Sequence, residues 1–300
     1  MDWNALRAFL AVAEHESFSI AARQLHLTQP AISKRVQSLE AELGVRLFDR
    51  VGKRVYLTDG GRLLRPRAEG ILRELGDAQT LLKNLHGRVE GTLSLATSHH
   101  VGLHRLAPVL KEFSQRFPSV RLDIKFVDSE VAHDMVAVAD AELAVVTLDP
   151  AARRALTSKR LWRDPLVFTV ARDHELAKRP GTLTLAELAT EHAILPGLET
   201  FTGRIVMGLF ADEGLTITTS MSTNYLETIA MLVGIGLGWS VLPAVLLSEQ
   251  MTTLDVRAPA LERHLGCVTN PNRTLSNAAR AFADVLELHR DRSDASQSGF

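Results

Sequence analysis

Apolar residues near the start of the chain recur at the three- and four-residue spacing of helices, in two short runs separated by a tight turn. The first predicted helix opens with Ser19, whose hydroxyl can accept a hydrogen bond from the exposed amides of the first turn. The second is predicted to run from Gln29 to Leu43, because Thr28 is placed to cap it and Pro30 falls in its first turn. Its inward-facing residues are expected to be Ala31 or Ile32, Val36, Leu39 and Leu43.

The polar face of the second helix and the segment after it are suited to nucleic acid. Gln29 and Ser33 can read base edges in a major groove, while Lys34 and Arg35 can bind phosphates. The basic hairpin that follows turns at Gly52, and its tip can reach phosphates or an adjacent minor groove. Two helices on a tight turn and a basic hairpin are the outline of a winged helix-turn-helix, so we expect this segment to bind DNA. The alternative, an amphipathic surface helix with a solvated polar face, leaves the hairpin unexplained.

Between residues 64 and 85, seven apolar residues repeat with alternating spacings of four and three, which is a heptad seam. A helix that stood alone would expose the leucines of this narrow stripe to water. The seam therefore predicts a homodimer, in which the same helix of a second subunit covers the stripe. The alternative is packing against the chain's own domains. Pro66 and the glycines at 70 and 76 weaken this helix. The predicted dimerisation residues are Leu64, Ala68, Ile71, Leu75, Ala78, Leu82 and Leu85.

Beyond Gly91 the pattern changes to short apolar strands alternating with helices. The strands TLSLAT, VRLDIKFVD and ELAVVTL are separated by helical stretches over 103–117 and 130–139, a spacing typical of βαβ units and a parallel sheet. A second set of elements begins near Pro165, and the chain returns to the first set with HLGCVTN and a helix from about Leu275 to His289. This order predicts a hinged clamp of two α/β subdomains, the first over 91–160 and 268–292 and the second over 161–267.

Ligands in open α/β sheets bind at the carboxyl ends of strands, beside helix N-termini that favour anions. Hydroxyl, amide and imidazole side chains follow the strands of both predicted subdomains. We expect them to converge on a cleft that suits a small metabolite bearing a carboxylate. The alternative is that the Ser and Thr residues only cap helices, which needs no ligand. The candidates are Thr97, Ser98, His99, His100, Ser129, Thr147, Thr200, Phe201, Thr202, Thr223 and Asn224.

Length and charge fit a protein of two or three compact units. A chain of 300 residues exceeds the usual span of one domain, and 46% hydrophobic residues suffice for more than one core. Residues 1–88 hold 14 basic and 10 acidic residues, net +4, whereas the remainder holds 20 and 25, net −5. The positive part is therefore the part expected to meet DNA.

Cysteine usage and hydropathy point to the cytoplasm. The single cysteine, Cys267, cannot form an internal disulfide and is expected to be a buried structural thiol rather than a redox sensor. The first fifteen residues predict a charged amphipathic helix rather than a signal peptide. Residues 228–248 carry no charge, but the glycines at 234, 236 and 238 and Pro243 favour a buried helix and a core strand over a membrane span. The polar residues 293–300 are expected to be disordered.

Three histidines, at 99, 100 and 104, invite a metal hypothesis, since His100 and His104 lie one turn apart on the predicted helix. A zinc site would need further ligands such as Asp128 or Glu130 from another strand end, and we expect no metal and no other cofactor. Contact between one of these histidines and an organic anion is preferred. Such a contact would make ligand binding depend on pH near neutrality.

Motifs of the common enzyme classes are absent from the sequence. It contains no G-x-S-x-G, no Walker loop and no zinc-protease helix motif, and the GIGLG at 234–238 follows a predicted helix instead of the strand that a dinucleotide fingerprint requires. A solute-binding protein would carry an export signal and no DNA-binding segment. An architectural DNA-binding protein would lack the two-lobed clamp. We therefore expect a ligand-responsive regulator and not an enzyme.

The stretch FSIAARQLHLTQPAISKRVQSLEAELGVRLFDR, followed by LTDGG, resembles the N-terminal domain of LysR-type transcriptional regulators, and the resemblance extends over nearly the whole chain. It implies a multi-domain α+β protein with a winged helix-turn-helix over 1–60 and a linker helix over 61–88 that pairs subunits. The C-terminal part then corresponds to a two-lobed α/β effector domain, similar to type 2 periplasmic binding proteins, whose ligand-binding residues fall at strand ends.

The same resemblance implies the binding surfaces and the partners. Expected partners are double-stranded DNA, a second subunit and commonly a tetramer built as a dimer of dimers, a small-molecule effector and RNA polymerase, with no membrane. Six residues around the start of the second helix would lie at the DNA surface, and three cations would lie in or beside the wing. These are Thr28, Gln29, Pro30, Ser33, Lys34 and Arg35, and then Arg50, Lys53 and Arg54.

Overall fold

The computed structural model describes residues 2–51, 54–85, 87–151 and 155–291. The chain divides into two compact units, Met1–Leu85, here called the head, and His86–Phe300, here called the sensor domain. Each unit buries its own apolar side chains. The predicted disordered tail at 293–300 lies outside the described residues.

The head has the predicted winged helix-turn-helix architecture, followed by a long helix. Its two strands pair antiparallel as the wing. One hydrophobic core joins the helices to the hairpin, with Phe9 fully buried and in ring contact with Phe48. The elements are α1 (Trp3–His15), α2 (Phe18–Gln24), α3 (Gln29–Leu43), β1 (Phe48–Val51), β2 (Arg54–Leu57) and α4 (Asp59–Asn84).

Capping side chains set the ends of the short helices. Thr28 caps α3 as predicted, and the residue after this helix is Gly44 in the left-handed conformation that glycine favours. The start of α2 differs from the prediction. Ser17, rather than Ser19, is the cap, because its hydroxyl accepts a hydrogen bond from the backbone N–H of Ile20 at 3.3 Å.

The inward face of α3 is narrower than the sequence pattern suggested. Ile32, Val36 and Leu39 are buried in the core of the head. Ile32, and not Ala31, is thus the first inward residue. Leu43 is 39% exposed, because it lies in the last turn of α3 beyond the reach of this core.

The heptad seam of α4 divides between two environments. Its first turns cover the head, where Ala68 is fully buried and Leu64 packs against the same core. Ala68 therefore belongs to the interior of the head rather than to a contact with a second subunit. The remaining seam positions are exposed in the chain, so a partner helix stays a prediction for that part. They are Ile71, Leu75, Ala78, Leu82 and Leu85.

The sensor domain is built on a seven-stranded mixed sheet, whose strands are β3 (Gly91–Thr97), β4 (Val120–Phe126), β5 (Leu143–Thr147), β6 (Thr157–Ala171), β9 (Ser240–Pro243), β10 (Met251–Thr253) and β11 (Leu261–Thr269). Their order in the sheet is β10-β6-β11-β5-β3-β4, with β9 also paired to β6. As predicted, β3 pairs in parallel with β4 and β5. The pairs that involve β6 and β11 are antiparallel. A second, two-stranded parallel sheet consists of β7 (Ala193–Leu195) and β8 (Thr219–Ser222).

Two long strands make the crossing connections between the lobes. The predicted strand at Pro165 is the second half of β6, which begins at Thr157 and continues without interruption through both lobes. Leu161 lies in the core that contains β3 and β5, here lobe I, whereas Phe168 lies in the core that contains β7 and β9, here lobe II. Because β11 pairs with β6 along its whole length, these two strands form the joint of the clamp.

Helices cover both lobes and begin near the strand ends. In lobe I, a π-helical turn over Gly102–Leu106 joins α5 (His99–Val101) to α6 (Ala107–Arg116), so the single helix predicted over 103–117 has two parts, the π-helical turn and α6. The helices of lobe I are α5 (His99–Val101), α6 (Ala107–Arg116), α7 (Ser129–Ala137) and α12 (Asn277–Leu288). Those of lobe II are α8 (Glu175–Lys178), α9 (Leu185–Ala189), α10 (Phe201–Asp212) and α11 (Leu226–Gly234), with a short 3-10 turn over Ala244–Leu246.

Cys267 and the uncharged segment have the predicted environments. The Cys267 side chain is buried on β11, and burial raises the pKa of its thiol to about 12. The reactive thiolate is therefore scarce near neutral pH, as expected of a structural cysteine. The uncharged segment forms α11 up to Gly234 and then the core strand β9. Among the described residues, no helix is long and apolar enough to cross a bilayer.

Candidate functional site

The predicted DNA-contacting residues of α3 lie on the outer face of the head. Gln29 and Lys34 are exposed, and Ser33 and Arg35 are half-buried on opposite flanks of the helix. Within the described part of the chain, neither Lys34 nor Arg35 forms an ion pair, so both cations are available to a polyanion. Thr28 and Pro30 are exposed beside them, at the N-terminal end of the helix.

The predicted wing cations are only partly described. Arg50 is on β1 and Arg54 is on β2, in the antiparallel hairpin that forms the wing. Lys53 lies outside the described residues. DNA contact by these residues, as by those of α3, stays a prediction.

In the sensor domain, the predicted strand-end residues converge on one cavity at the joint of the clamp. Its volume is about 40 Å³, far below the roughly 300–1,000 Å³ of common ligand pockets. The two lobes thus nearly close on each other. Nine of the eleven predicted residues line the cavity, and they are Ser98, His99, His100, Ser129, Thr147, Thr200, Phe201, Thr202 and Asn224.

Two predicted residues lie outside the lining. Thr97 is fully buried, and its hydroxyl donates to the carbonyl oxygen of Val145 at 2.7 Å, so it stabilises the β3–β5 pairing rather than a ligand. Thr223 precedes the lining residues of α11, and its hydroxyl accepts from the backbone N–H of Tyr225 at 3.4 Å. The hydroxyl of Thr223 is thus occupied by a local turn.

Helix capping accounts for several of the hydroxyls that do line the cavity. Ser98 Oγ accepts from Val101 N at 3.4 Å, and Thr200 Oγ1 accepts from Gly203 N at 2.9 Å. The alternative proposed from sequence, capping by Ser and Thr, therefore holds for these two residues. Because the cap made by Thr200 fixes the first turn of α10, the N-terminus of this helix is held in one orientation towards the cavity.

A buried ion pair that the sequence analysis missed closes the base of the cleft. Arg263 on β11 donates through Nε to Asp164 Oδ2 on β6 at 2.7 Å, and both side chains are at most 4% exposed. Arg263 Nη1 also donates to Thr202 Oγ1 at 2.8 Å. Although burial raises the pKa of Asp164, the neighbouring His100 and Arg263 outweigh it, and the pKa lies below its ordinary value. Asp164 and Arg263 both lie in charged stretches of their strands, beside Arg163 on β6 and Glu262 on β11, so the sequence carried no local signal that distinguished them.

A second missed cluster joins the two lobes. Oε1 of Glu227, on α11, lies 3.1 Å from His100 Nδ1 and 3.1 Å from His104 Nε2. Burial alone would raise the pKa of Glu227, but the hydrogen bond with His100 and the two nearby imidazoles lower it to about 2. This carboxylate is thus ionised at any pH at which the protein is expected to work.

A third carboxylate occupies the N-terminus of α10. Glu130, on α7, accepts a short hydrogen bond from the backbone N–H of Phe201. Burial, the largest influence, raises the pKa of Glu130. Next to it, Asp128 accepts from the side-chain amide of Asn224 at 2.9 Å. The acidic side chains of lobe I therefore already bind the polar groups that lobe II presents to the cleft.

Gly203 allows α10 to approach the cleft closely, which leads to a testable contrast within one helix. A β-carbon at Gly203 would overlap the carbonyl oxygens of Pro196 and Gly197, whereas one at Gly208 would meet open space. Gly203→Ala is expected to lower the free energy of unfolding by about 1–3 kcal/mol through overpacking. Gly208→Ala is expected to raise it by about 0.5–1 kcal/mol through helix propensity. Urea unfolding measures the free energy of unfolding of both variants. Equal changes in the two variants would contradict a close approach between α10 and the carbonyl oxygens at Gly203.

Two sequence families match the chain, one for each unit. Residues 3–62 match the "Bacterial regulatory helix-turn-helix protein, lysR family", and residues 86–290 match the "LysR substrate binding domain". This chain belongs to the LysR family of transcriptional regulators. The LysR-type proteins bind DNA and small-molecule effectors and are not enzymes, in agreement with the sequence analysis.

Individual relatives support the assignment over the full length. The LysR-type chain is 32% identical to the RuBisCO operon transcriptional regulator of Allochromatium vinosum over 288 residues, which cover 94% of each protein. In fold it is similar to a full-length OxyR variant from Pseudomonas aeruginosa, with a TM-score of 0.70 and 23% identity over 96% of this chain and 95% of that one. It is also similar to full-length CbnR in complex with its target DNA, with a TM-score of 0.65 and 21% identity over 96% of this chain and all of the other.

Proposed function

We propose that this LysR-type regulator responds to a small metabolite whose carboxylate binds at the N-terminus of α10, in the cleft of the sensor domain. The observation that carries the proposal is the position of Glu130. A carboxylate of the chain itself accepts a hydrogen bond from Phe201 N, the first backbone amide of α10. The N-terminus of a helix favours anions because its amides are unpaired and its dipole is positive at that end.

Arg263 supports the same class of ligand. Its Nη2 is buried and makes no hydrogen bond to any described residue, although Nε and Nη1 are both engaged. A buried guanidinium donor without an acceptor is costly, so a ligand oxygen that reached Nη2 would be favoured. Both features lie in the lining of one cavity.

The small size of the cavity implies that binding is linked to movement of the lobes. A metabolite does not fit into about 40 Å³, so the clamp must open and Glu130 must leave α10 before the ligand carboxylate can replace it. A ligand shifts such an equilibrium only by its difference in affinity for the two arrangements. The ligand thus acts by replacing a contact within the chain with a contact of its own.

The same proposal assigns roles to the rest of the molecule. The heads of a homodimer, paired through the exposed seam positions of α4, dock two half-sites in successive major grooves. Opening or closing of the clamps then changes the spacing of the heads. Assembly into a tetramer and contact with RNA polymerase are further parts of this proposal.

A thermal-shift screen of the full-length protein with small organic acids tests the carboxylate. At least one acid is expected to raise the melting temperature, while its methyl ester and its primary amide have no effect. Glu130→Ala removes the internal competitor. If Glu130 holds the site about nine-tenths of the time, the acid should bind this variant on the order of tenfold more tightly than the wild type.

Asp123→Ala is the matched control, because it removes one exposed carboxylate of β4 outside the cavity lining. The affinity of the acid for this variant should equal that for the wild type. An ester or amide that stabilises the protein as well as its acid would refute the role of the carboxylate. Equal affinities of the wild type and Glu130→Ala would refute competition at α10.

A further inference from the structure

His100 and His104 direct their rings at one carboxylate oxygen. They lie one turn apart, at the junction of α5 with the π-helical turn, and Glu227 faces them from α11. His100 Nδ1 and His104 Nε2 are each 3.1 Å from Glu227 Oε1, and the three atoms all lie within 4.8 Å of one another. Two imidazole nitrogens and one carboxylate oxygen are a ligand set that suits zinc and related divalent metals.

The distances between these atoms are close to those of a metal site. Tetrahedral zinc with bonds of about 2.0–2.1 Å places its ligand atoms roughly 3.3–3.5 Å apart. The two separations of 3.1 Å from Glu227 Oε1 therefore need to change by only a few tenths of an ångström. The two imidazole nitrogens lie within 4.8 Å of each other and would have to approach by at most about 1.5 Å. Three protein ligands would leave the fourth position for water or for a ligand oxygen.

The environment of His100 supplies the outer contact that metal-binding histidines commonly have. With Nδ1 on the metal, the ring proton is fixed on Nε2, and Asp164 Oδ2 lies 3.6 Å from that atom. In the structure Nε2 is buried and has no hydrogen-bond partner among the residues described. A carboxylate that accepts a hydrogen bond from this N–H orients the ring and makes it a better ligand. Asp164 is itself held by Arg263, so the acceptor is fixed in place.

We infer that His100 Nδ1, His104 Nε2 and Glu227 Oε1 form a binding site for a divalent transition metal of the zinc class. The cavity beside them, of about 40 Å³, has room for an ion with about one water molecule. The histidines belong to lobe I and Glu227 to lobe II, so the metal would hold the clamp closed. The site does not depend on the carboxylate ligand proposed above.

Calorimetric titration of the chelator-treated, full-length protein with zinc alone tests the inference. One equivalent is expected to bind with a submicromolar dissociation constant. His104→Ala and Glu227→Gln should each weaken binding by about 100-fold or more, because each removes a direct ligand. Cobalt in place of zinc should give the intense visible absorption of a tetrahedral site in the wild type, and this absorption should be lost in both variants.

His289→Ala is the control for adventitious binding. It removes another histidine that contacts a carboxylate, Glu112 Oε2 at 2.8 Å, and should leave the affinity for zinc unchanged. Circular dichroism will confirm that the variants are folded, and His104 and Glu227 are both part-exposed, which favours this. Absence of a bound equivalent would overturn the inference. Binding that survives both His104→Ala and Glu227→Gln would do the same.

Discussion

Replacing Arg263 with methionine is expected to lower the free energy of unfolding of the sensor domain by about 3–5 kcal/mol. The substitution keeps most of the side-chain volume but leaves the carboxylate of Asp164, which is 2% exposed, without the Nε donor 2.7 Å away. An uncompensated buried charge is among the most destabilising changes in a protein interior. The loss should be measurable by urea unfolding followed by fluorescence, since Trp162 and Trp239 are both buried in this domain.

The double variant Arg263→Met with Asp164→Leu distinguishes loss of a charge partner from loss of packing. Removing both charges should restore most of the stability, because well-packed apolar residues often replace a buried ion pair at little cost. A double variant as unstable as the single one would mean that packing around Arg263, and not the charge of Asp164, sets the effect. A single variant as stable as the wild type would show that this part of the joint is solvated.

Local chemistry explains why much of the head could be predicted from sequence. Thr28, Pro30 and Gly44 each act within one turn of their own position, so their sequence context determines the start and end of α3. The cap of α2 was misplaced by two residues because Ser17 and Ser19 carry the same hydroxyl. Sequence alone does not show which of the two has an unpaired amide three residues ahead.

The heptad seam illustrates a different limit. A stripe of apolar residues shows that a helix packs against a partner but does not identify that partner. The core of the same chain and a helix of a second subunit both require the same pattern. Leu64 and Ala68 pack against the head, while Leu82 and Leu85 extend past it. The division depends on where the core of the head ends, which is a property of its three-dimensional packing.

The cleft was predicted in its position but not in its charges. Strand ends are visible as short apolar runs, so Ser98 and Thr200 could be found from sequence. Asp164 and Arg263 are directly paired across β6 and β11, but 99 positions separate them in the chain. Glu227 is 127 positions from His100. The pairing of β6 with β11 and the closure of the lobes decide such contacts, and both bring together residues that are far apart in the chain.

Reversing the charge of both Lys34 and Arg35 to glutamate is expected to weaken binding to a specific DNA duplex by about a thousandfold, if each lost contact is worth about 2 kcal/mol. Lys34 is exposed and Arg35 is half-buried on α3, and neither forms an ion pair with a described residue. Neither side chain belongs to the core of the head, to which α3 contributes Ile32, Val36 and Leu39, so the reversal should not unfold the head. Glutamates at these positions would face phosphates, so repulsion adds to the loss of attraction.

Fluorescence anisotropy with a duplex selected on the wild-type protein, over a series of salt concentrations, measures this effect. The neutral variant Lys34→Ala with Arg35→Ala should reduce the slope of log affinity against log salt by about two, since each phosphate contact contributes about one. Lys111→Glu with Lys178→Glu changes the net charge of the chain equally but on the sensor domain, so it controls for net charge. If that control weakened binding as much as the reversal on α3, net charge alone would explain the result. An unchanged salt slope in the neutral variant would remove both residues from the phosphate contacts, and the wing would then have to supply them.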